Sequence, residues 1–534
     1  MAKEQNLKRA VSLILVEVAL LSLSALLFAL SFPSFLSLEG WGFLGFFALI
    51  PLVPVIKRSG WIKAFLYGPL YALITYSIFN YWLTNFHPVA GLVVNVIYMF
   101  YFFFLFPALK AVDVLWKDWA FLPQCLLWMA YEYIRTKGFV GYPYGIMAYS
   151  QYKFIPFIQS ASFWGIWGVS LLVIFPSFYI GRLLSRPRRE YKEFWLKSKW
   201  WAFGYAIVFL GNVVFGLISQ VDYSQSPTKR ISLIQHDIDP WKGGISAYKK
   251  GLDRLIDESK KAVKDNPDLV VWSETAFVPP VFYHTQYREN QQSYELVKEL
   301  NDFLSTQQIP YLFGNDHAEK HKNSNNQMER IDYNAALLWD KGDYQQIYKK
   351  IHLVPFTEHF PYEKSLPFLY NFLKTQDVHW WGSGTEYTVF EAAGLKFAAT
   401  ICFEDVFGYL SRNFVRQGAD VIVNITNDSW AFSVVSMMQH LSISTFRAVE
   451  NRRSLVRSAN GGMTAVVDPN GRILAEAEPF TKTHLTYDVP VYTDSLSVYT
   501  KFGDWSGILF MILGLASLIV GLCKSQLTRA KSDS

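Results

Sequence analysis

Three reactive side chains lie at or near the ends of apolar runs in the second half of the sequence. Glu274 follows Leu-Val-Val-Trp-Ser, Lys350 comes shortly before a Val-Pro-Phe-Thr-Glu motif, and Cys402 ends the run Ala-Ala-Thr-Ile-Cys. A thiol with a free pKa of about 8.5 is a poor nucleophile until a base or a cation assists it. A carboxylate can take the thiol proton, and an ammonium group favours the thiolate and stabilises an oxyanion on the attacked carbonyl. The three residue types therefore form a complete set for acyl transfer.

Each of these residues also has an ordinary structural interpretation. A cysteine at the end of a strand is more often a small buried hydrophobe than a nucleophile, and a glutamate after a strand is usually solvated. Lys350 stands beside Lys349, so at least one of the two is expected at the surface. Cys402 is nevertheless the one cysteine in a polar region, because Cys125 and Cys523 lie in apolar runs. Three cysteines do not make a disulfide framework.

The segment that carries these residues has ordinary globular composition and alternates two kinds of pattern. Short apolar runs bounded by turn residues predict strands, amphipathic stretches between them predict helices, and Pro469-Asn-Gly471 predicts a hairpin. This alternation is typical of an α/β or α+β sandwich. The predicted strands are 231–238, 269–272, 311–314, 335–339, 397–402, 421–425, 465–467 and 473–475, and the predicted helices are 248–264, 294–306 and 438–452.

The rest of the chain is predicted to cross a membrane. The sequence is 51% hydrophobic and only 18% charged, whereas soluble proteins carry about 25% charged residues. The first apolar stretch is too long for a signal-peptide core, so we interpret it as a retained helix. About eight stretches are long and apolar enough to span a bilayer: 11–32, 41–56, 62–83, 88–109, 119–134, 155–184, 200–220 and 506–523.

Basic residues predict the orientation of these spans. With eight spans, the basic loops and both termini fall on one side, which the positive-inside rule makes cytoplasmic. The globular segment then faces outward. The loop after the fifth predicted span, with Arg135, Lys137 and Lys153, is the exception. The net charge of +6 is small for 534 residues and does not indicate a nucleic-acid partner.

In their order and context, Glu274, Lys350 and Cys402 resemble the Glu-Lys-Cys triad of the nitrilase superfamily. The stretch 348–358 is similar to that superfamily's lysine motif. A nitrilase-like domain between seven membrane spans and one more is the layout of the apolipoprotein N-acyltransferases, and the resemblance covers essentially the whole chain. Further matching motifs are Gly141-Tyr-Pro143, Asn427-Asp-Ser-Trp430, Gln439-His440, Phe446-Arg-Ala-Val-Glu450, Asn460-Gly-Gly462 and Phe502-Gly-Asp-Trp505.

The resemblance implies a domain organisation and a reaction. Residues 1–227 would be a seven-helix membrane domain, 228–492 an αββα nitrilase-like catalytic domain, and 493–534 a last membrane helix with a cytoplasmic tail. A membrane phospholipid would acylate a cysteine, and the thioester would pass the chain to the N-terminal amine of a diacylglyceryl-cysteine apolipoprotein. The resemblance further implies a monomer in a bacterial inner membrane, with the catalytic domain in the periplasm. We expect no cofactor and no metal.

The resemblance also implies a role for individual residues. Glu274 would be the general base, Lys350 the stabiliser of the thiolate and the oxyanion, and Cys402 the nucleophile. The residues expected to support these three or to line the substrate site are Glu358, Phe403, Glu404, Asn334, Trp241 and Trp430. The backbone N–H after Cys402 is a candidate second oxyanion donor.

Three positions depart from the family's pattern. Thr357 stands where a glycine is usual, and Phe403 stands where a tyrosine is common. After Trp430 the chain continues with Ala431-Phe432, where the family usually has Phe-Gly. None of these departures removes a member of the triad. They bear on the shape of the acyl pocket and on the preferred chain length.

An aromatic segment after Glu358 favours a lipid substrate. Amphipathic aromatic side chains are enriched at membrane interfaces, and we expect this segment to enter the headgroup region and gate lipid entry rather than to cover the domain's own core. Its members are Phe360, Tyr362, Phe368, Leu369, Tyr370, Phe372, Trp380 and Trp381. We call the segment 360–381 the aromatic arm.

Three other functions remain open from the sequence. A membrane-tethered amidase would use the same triad, although one anchor would suffice for it. A transporter or lipid-binding protein would need intramembrane charges along a path, and Glu17 and Glu132 are the only acidic residues within the predicted spans. An inactive or specialised paralogue is the third possibility.

Overall fold

The computed structural model describes residues 2–86, 88–239, 242–322, 326–375 and 379–532. The chain divides into two compact units, Met1–Gln220 together with Phe502–Ser534, and Val221–Lys501. In the described part of the first unit the regular structure is helical. The second unit holds the strands and seven further helices, counted within the described ranges.

The helices of the first unit differ widely in length. Its α-helices are α1 Ala2–Ser31, α2 Leu52–Arg58, α3 Trp61–Phe79, α4 Leu83–Phe86, α5 Pro88–Trp116, α6 Phe121–Ile134, α7 Ile155–Ile158, α8 Ala161–Leu184, α9 Tyr191–Ile218 and α17 Trp505–Ser532. Six helical stretches among the described residues are long and apolar enough to cross a membrane: Lys3–Ser31, Trp61–Phe79, Val89–Trp119, Ala161–Leu184, Arg188–Ile218 and Trp505–Gln526.

The prediction of eight spans is therefore not confirmed, and two predicted stretches account for the difference. The stretch 41–56 forms a 3-10 helix at Gly42–Phe46, then turns and the short helix α2. Pro51 and Pro54 explain the interruption, since proline donates no backbone hydrogen bond and is tolerated mainly in the first turn of a helix. The stretch 119–134 forms α6, which has 14 residues. At about 1.5 Å per residue this helix is shorter than the hydrocarbon core of about 30 Å.

Both intramembrane carboxylates identified in the sequence are bound by neighbouring helices. Glu17 accepts hydrogen bonds from Lys63 Nζ at 2.6 Å and from the Tyr67 hydroxyl at 2.7 Å. Glu132 accepts the backbone N–H of Met147 at 3.1 Å, and its carboxylate also binds side chains of α6 and α8. Each carboxylate therefore links neighbouring helical segments.

The second unit is a sandwich of two six-stranded sheets, counted within the described residues. The sheet orders are β12-β1-β2-β3-β4-β5 and β11-β10-β9-β8-β7-β6. The strands are β1 Thr228–Gln235, β2 Leu269–Trp272, β3 Tyr311–Lys322, β4 Met328–Asp340, β5 Asp343–Lys349, β6 Val389–Ala392, β7 Leu395–Ile401, β8 Val421–Thr426, β9 Ser454–Ala459, β10 Ala465–Val467, β11 Ile473–Glu476 and β12 Thr483–Pro490.

Helices pack on the outer faces of both sheets of this sandwich. The α-helices of the unit, among the described residues, are α10 Gly244–Ala262, α11 Val281–Tyr287, α12 Gln291–Ser305, α13 Pro367–Lys374, α14 Gly408–Arg416, α15 Val434–Asn451 and α16 Val498–Phe502, and short 3-10 helices include Cys402–Val406 and Ser429–Ala431. Apolar side chains of the two sheets meet in one core, represented by Val271, Leu312 and Val423. A second cluster packs α10 and α12 on the first sheet, and a third packs α15 on the second. The predicted αββα arrangement of one unit and the helical character of the other are confirmed.

The strand directions bring the reactive residues to one edge of the sandwich. Strands β1, β2 and β3 are parallel, as are β7, β8 and β9. Ligand sites form beyond the carboxyl ends of such strands. Glu274 follows β2, Cys402 follows β7, Asn427 follows β8 and Asn460 follows β9. Lys350 follows β5, an edge strand of the first sheet, which runs parallel to β3 because both strands pair antiparallel with β4.

Candidate active site

Lys350 lies between two carboxylates in the interior of the second unit. Its side chain is fully buried, and Nζ is 2.9 Å from Glu358 Oε1 and 3.6 Å from Glu274 Oε1. Burial by itself lowers the pKa of Lys350, but Glu358 and then Glu274 raise it above the usual range. The lysine is therefore a fixed cation at neutral pH.

The backbone around Lys350 is held equally closely. Its N–H donates to the Asn334 carbonyl at 2.8 Å, and its carbonyl accepts the Gly384 N–H at 2.8 Å. A Cβ at Gly384 would lie 2.1 Å from the carbonyl oxygen of Lys349. This close approach requires glycine, because real Cβ contacts are not that short.

Glu274 is the second buried carboxylate beside this lysine. Its Oε1 accepts the Asn334 Nδ2–H at 2.8 Å, and its Oε2 accepts the backbone N–H of Asn427 at 3.0 Å. Burial raises the pKa of Glu274, and the ammonium group of Lys350 only partly opposes this effect. A carboxylate with a raised pKa is a stronger base than an exposed one, which suits it to accept a proton from a thiol or an amine.

Cys402 starts the 3-10 helix that follows β7 and has a left-handed backbone, with φ of 52°. A non-glycine residue in this region carries strain of about 1–3 kcal/mol and is often found at functional sites. Burial raises the pKa of the Cys402 thiol, the negative charge of Glu274 raises it further, and Lys350 opposes both. The thiol is therefore protonated at rest. The negative charge of Glu274 acts on this thiol, so Glu274 is the candidate base that takes its proton.

Glu404 ties the turn after β7 to the segment after β5. Its Oε2 accepts the Ile401 N–H at 2.8 Å. Its Oε1 accepts the Tyr348 hydroxyl at 2.8 Å and the N–H groups of Ile351 at 2.8 Å and His352 at 3.0 Å. Ile401 precedes the cysteine and Ile351 follows the lysine, so one buried carboxylate fixes the two reactive segments against each other. This geometry gives a physical basis for the support expected of Glu404.

A buried network of four charged side chains lies behind the cysteine turn. Arg457 Nη1 binds Asp405 Oδ2 at 2.7 Å and Asn424 Oδ1 at 2.8 Å, and its Nη2 binds Asp428. His440 lies between the two aspartates, with Nδ1 3.0 Å from Asp428 Oδ1 and Nε2 bonded to Asp405. Two carboxylates therefore face two basic side chains, and all four groups are buried.

This network acts on the cysteine through its backbone. Asn424 Nδ2 donates to the Cys402 carbonyl at 3.2 Å, and Asp405 belongs to the same 3-10 helix as the cysteine. Sequence reasoning missed Arg457 and Asp405 and noted His440 only as part of a motif. Charged residues inside strand and helix patterns that otherwise indicate a core were the available signal, because such charges are buried only when paired.

The structure places the remaining predicted residues in different surroundings. Glu358 Oε2 also accepts the Val354 N–H at 2.7 Å, which fixes this carboxylate beside the lysine. The Phe403 ring packs against Phe407, with centroids 5.1 Å apart. Trp430 is partly exposed in the 3-10 helix Ser429–Ala431. Trp241 lies outside the described residues.

The three departures from the family's pattern lie at partly buried or exposed positions. Phe432 has a φ of 44°, and its side chain is 65% exposed, with Lys242 Nζ 5.5 Å from the ring centroid. Thr357 is partly buried within the turn that leads to Glu358. The Phe403 packing just described involves no hydroxyl group.

The aromatic arm contains an exposed apolar helix. In α13, Phe368 is 85% exposed and Phe372 is 42% exposed. The arm returns to the site where the Trp381 N–H donates to the Glu358 carbonyl at 2.9 Å. The exposed side chains argue against the alternative in which the arm only covers the domain's own core.

These groups can carry out acyl transfer. A protonated thiol and a basic carboxylate influence each other electrostatically, and a permanent cation is available to stabilise a developing oxyanion. No cluster of three or more histidine, cysteine or acidic side chains suited to a metal ion occurs in the part of the chain that the structure describes.

Comparisons with known proteins agree over both units. Residues 24–179 match the model of the apolipoprotein N-acyltransferase N-terminal domain, and residues 230–495 match the carbon-nitrogen hydrolase model. Apolipoprotein N-acyltransferase 1 of Treponema denticola is 40% identical over 518 residues, which cover 94% of each chain. The protein of the same name from Treponema pallidum is 42% identical over 521 residues, which cover 95% of each chain.

Matches extend to less similar bacterial relatives and to solved structures of an amidase. Apolipoprotein N-acyltransferase of Geobacter metallireducens is 31% identical over 500 residues, which cover 90% of this chain and 91% of that protein. Among solved structures, a mutant of the Nesterenkonia AN1 amidase from the nitrilase superfamily is 20% identical, with a TM-score of 0.36, and covers 52% of this chain and 94% of that one. The identity to the curated relatives over nearly the full length shows that this chain belongs to the apolipoprotein N-acyltransferase family.

Proposed function

We propose that this protein transfers a fatty acyl chain from a membrane phospholipid to the N-terminal amine of S-diacylglyceryl-cysteine lipoproteins, through a thioester on Cys402. The observation that carries the proposal is the placement of Lys350 between Glu274 and Glu358, beside a cysteine in a strained turn. Family membership supplies the two substrates. The geometry supports the chemistry that joins them.

In the first half-reaction Cys402 attacks an ester carbonyl of the phospholipid. Glu274 takes the thiol proton as the carbon–sulfur bond forms, and Lys350 with the backbone N–H of Phe403 stabilises the tetrahedral oxyanion. The oxyanion collapses, the ester carbon–oxygen bond breaks, and Glu274 gives its proton to the departing lysophospholipid oxygen. An acyl-enzyme thioester remains.

In the second half-reaction the lipoprotein amine attacks the thioester carbonyl. The same oxyanion donors act again, Glu274 takes a proton from the attacking nitrogen, and the carbon–sulfur bond breaks. Glu274 then returns that proton to the Cys402 sulfur. The product is an N-acylated lipoprotein, and the enzyme regains its starting state. Such a scheme is ping-pong, because the first product leaves before the second substrate reacts.

We further propose the cellular arrangement that the sequence predicts. Residues 228–492 would form the catalytic domain on the periplasmic face of a bacterial inner membrane, between a membrane domain at 1–227 and a final helix and tail at 493–534. Both termini would be cytoplasmic, and the protein would act as a monomer without a cofactor. Support comes from the basic residues near both termini and between 182 and 199, which fall on one side with the six helices long enough to span a membrane.

The test is intact-protein mass spectrometry of the purified full-length enzyme after mixing with phospholipid, with Cys402→Ala as the control. We expect a mass gain of one fatty acyl chain that is labile to hydroxylamine and absent from the control. If no adduct forms on a thiol that still reacts with iodoacetamide, the phospholipid is not the donor and a tethered amidase becomes the better interpretation. An unreactive Cys402 would contradict the proposed mechanism altogether.

A further inference from the structure

Asp316 lies on the inner face of the first sheet, next to the residues that hold Glu274. On strand β3, Leu312 packs into the core between the sheets, whereas Phe313 packs beneath the covering helices. Side chains alternate along a strand, so Asp316 shares the inner face with Leu312. It pairs directly with Asn334 on β4, and Asn334 donates to Glu274 at 2.8 Å. Paired residues have Cβ atoms about 5 Å apart, which places Asp316 beside the reacting groups.

One carboxylate oxygen of Asp316 is buried without a hydrogen-bond donor among the described residues. The residue is only 9% exposed, and its Oδ1 has no partner among the residues that the structure describes. An unsatisfied buried carboxylate is costly, and one at the edge of a reaction site suits a ligand that brings the missing donor. Asp332 lies on the same inner face but has a hydrogen-bond donor, because its Oδ1 accepts the Arg330 Nε–H at 2.7 Å.

The electrostatic surroundings make Asp316 a strong base. Burial raises the pKa of Asp316 well above its ordinary value, Asp332 and Glu274 raise it further, and Arg330 opposes them. An arriving cation stabilises the ionised form of such a carboxyl group, so any proton that Asp316 carries passes to solvent as that cation binds. Once ionised, it has a higher proton affinity than an exposed aspartate and accepts a proton more readily.

The proton balance of the second half-reaction calls for such a group. An N-terminal amine has an ordinary pKa of about 7.7–8.0, so at neutral pH much of the acceptor is an ammonium ion. Its nitrogen carries three protons, and the amide product keeps one. One of the other two ends on the Cys402 sulfur through Glu274. The last proton needs a second acceptor.

We propose, on the basis of the proposed function, that Asp316 binds the primary ammonium group of the acceptor and takes its first proton. The neutral amine then attacks the thioester while Glu274 takes the second proton and passes it to the Cys402 sulfur. Asp316 releases its proton to solvent after the amide leaves. An ethanolamine headgroup also carries a primary ammonium group, and separate measurement of the two half-reactions distinguishes these sources.

The experiment uses the full-length enzyme and follows each half-reaction in turn. The thioester is formed with phosphatidylglycerol, which carries no ammonium group, or with phosphatidylethanolamine. After removal of the donor, its consumption is timed with a diacylglyceryl-cysteine peptide or with hydroxylamine, which is already neutral at pH 7. The variants are Asp316→Asn, Asp316→Glu as a rescue, and Asp332→Asn as the matched control.

We expect Asp316→Asn to slow consumption of the thioester by the peptide about a hundredfold, at the lower end of general acid–base effects. In this variant, the rate at which hydroxylamine consumes the thioester and the rate of thioester formation from both donors should stay close to those of the unsubstituted enzyme. These two rates also show that the variant is folded. Asp316→Glu should recover most of the lost rate, and Asp332→Asn, which removes only a neighbouring charge, should slow the reaction much less than Asp316→Asn does.

Other results would overturn the inference in distinct ways. Slower thioester formation from phosphatidylethanolamine alone would assign the ammonium to the donor headgroup rather than to the acceptor. Equal slowing with peptide and hydroxylamine, no slowing at all, or loss of thioester formation in both Asp316 variants would refute the proton transfer. If the unsubstituted enzyme forms no thioester, the proposed function fails and this inference fails with it.

Discussion

Replacing Glu404 by glutamine tests whether the cysteine turn must be held rigidly against the lysine segment. The carboxylate accepts four hydrogen bonds, one at Oε2 and three at Oε1. A glutamine amide accepts at only one end, so its NH2 group must face either the Ile401 N–H or the cluster of Tyr348, Ile351 and His352. The first orientation has one conflict between donors and is therefore the less costly.

The magnitude follows from that single conflict. The variant loses one hydrogen bond to a charged group, worth about 1.5–3 kcal/mol, and leaves a buried N–H unsatisfied next to the cysteine. If the activation free energy of thioester formation rises by about 2.8 kcal/mol, the reaction slows about a hundredfold, since about 1.4 kcal/mol corresponds to a factor of ten. Tyr348→Phe removes one of the four bonds without a conflict, so its effect should be about tenfold or less by the same relation.

The assay is the single-turnover rate of Cys402 acylation by phospholipid, measured for Glu404→Gln, Tyr348→Phe and the unsubstituted enzyme. Alkylation of Cys402 by iodoacetamide serves as the control for access to the thiol. The expected order of rates is unsubstituted enzyme, then Tyr348→Phe, then Glu404→Gln. The reasoning is refuted if Glu404→Gln acylates as fast as the unsubstituted enzyme, or if Tyr348→Phe is the slower variant.

Three further predictions concern the buried network, the aromatic arm and the pH dependence. Arg457→Met leaves two buried aspartates without their guanidinium partner and should lower the free energy of unfolding by about 3–5 kcal/mol. Thermal unfolding in detergent should then have a lower midpoint, and an unchanged midpoint would contradict this prediction. Phe368→Ser with Phe372→Ser should slow acylation by phospholipid vesicles while iodoacetamide still modifies Cys402 normally; equal loss of both reactions would exclude a role in lipid entry. Burial raises the pKa of Asp428, but the charge of Arg457 outweighs this effect and holds the pKa below its usual value. At a pH above its unfolded pKa of about 3.9, Asp428 should therefore stabilise the fold, and this contribution should be lost as the pH falls through the folded pKa. Acid unfolding should therefore begin at a higher pH in Asp428→Asn, and identical acid transitions in the two proteins would refute this assignment.

Local patterns in the sequence predicted the elements that carry the site. The runs that end at Glu274 and Cys402 predicted strands because apolar residues bounded by turn residues form buried strands. Both appear, as β2 and β7. The residue types at the ends of these strands predicted acyl-transfer chemistry, because thiol, carboxylate and ammonium groups have few other reasons to occur together.

Length and hydropathy alone did not determine the number of spans. The stretches 41–56 and 119–134 are apolar, yet one is broken at prolines and the other forms a helix of 14 residues. An apolar stretch is compatible both with a membrane span and with a short element packed among other helices. Which of the two forms is decided by the neighbours that the stretch meets in the folded unit.

The sequence by itself determined the reactive residue types, several of the strands and helices of the second unit, and the apolar character of the first unit, because each of these depends on neighbours in the chain. Only the tertiary structure decided how the reactive groups are held. The Asn427 N–H donates to Glu274, 153 residues away in the chain, and Arg457 donates to Asp405, 52 residues away. Asp316 lies at the site because of the register in which β3 pairs with β4. Such contacts depend on strand pairing and burial, and burial makes a charge costly unless a partner from a distant segment satisfies it.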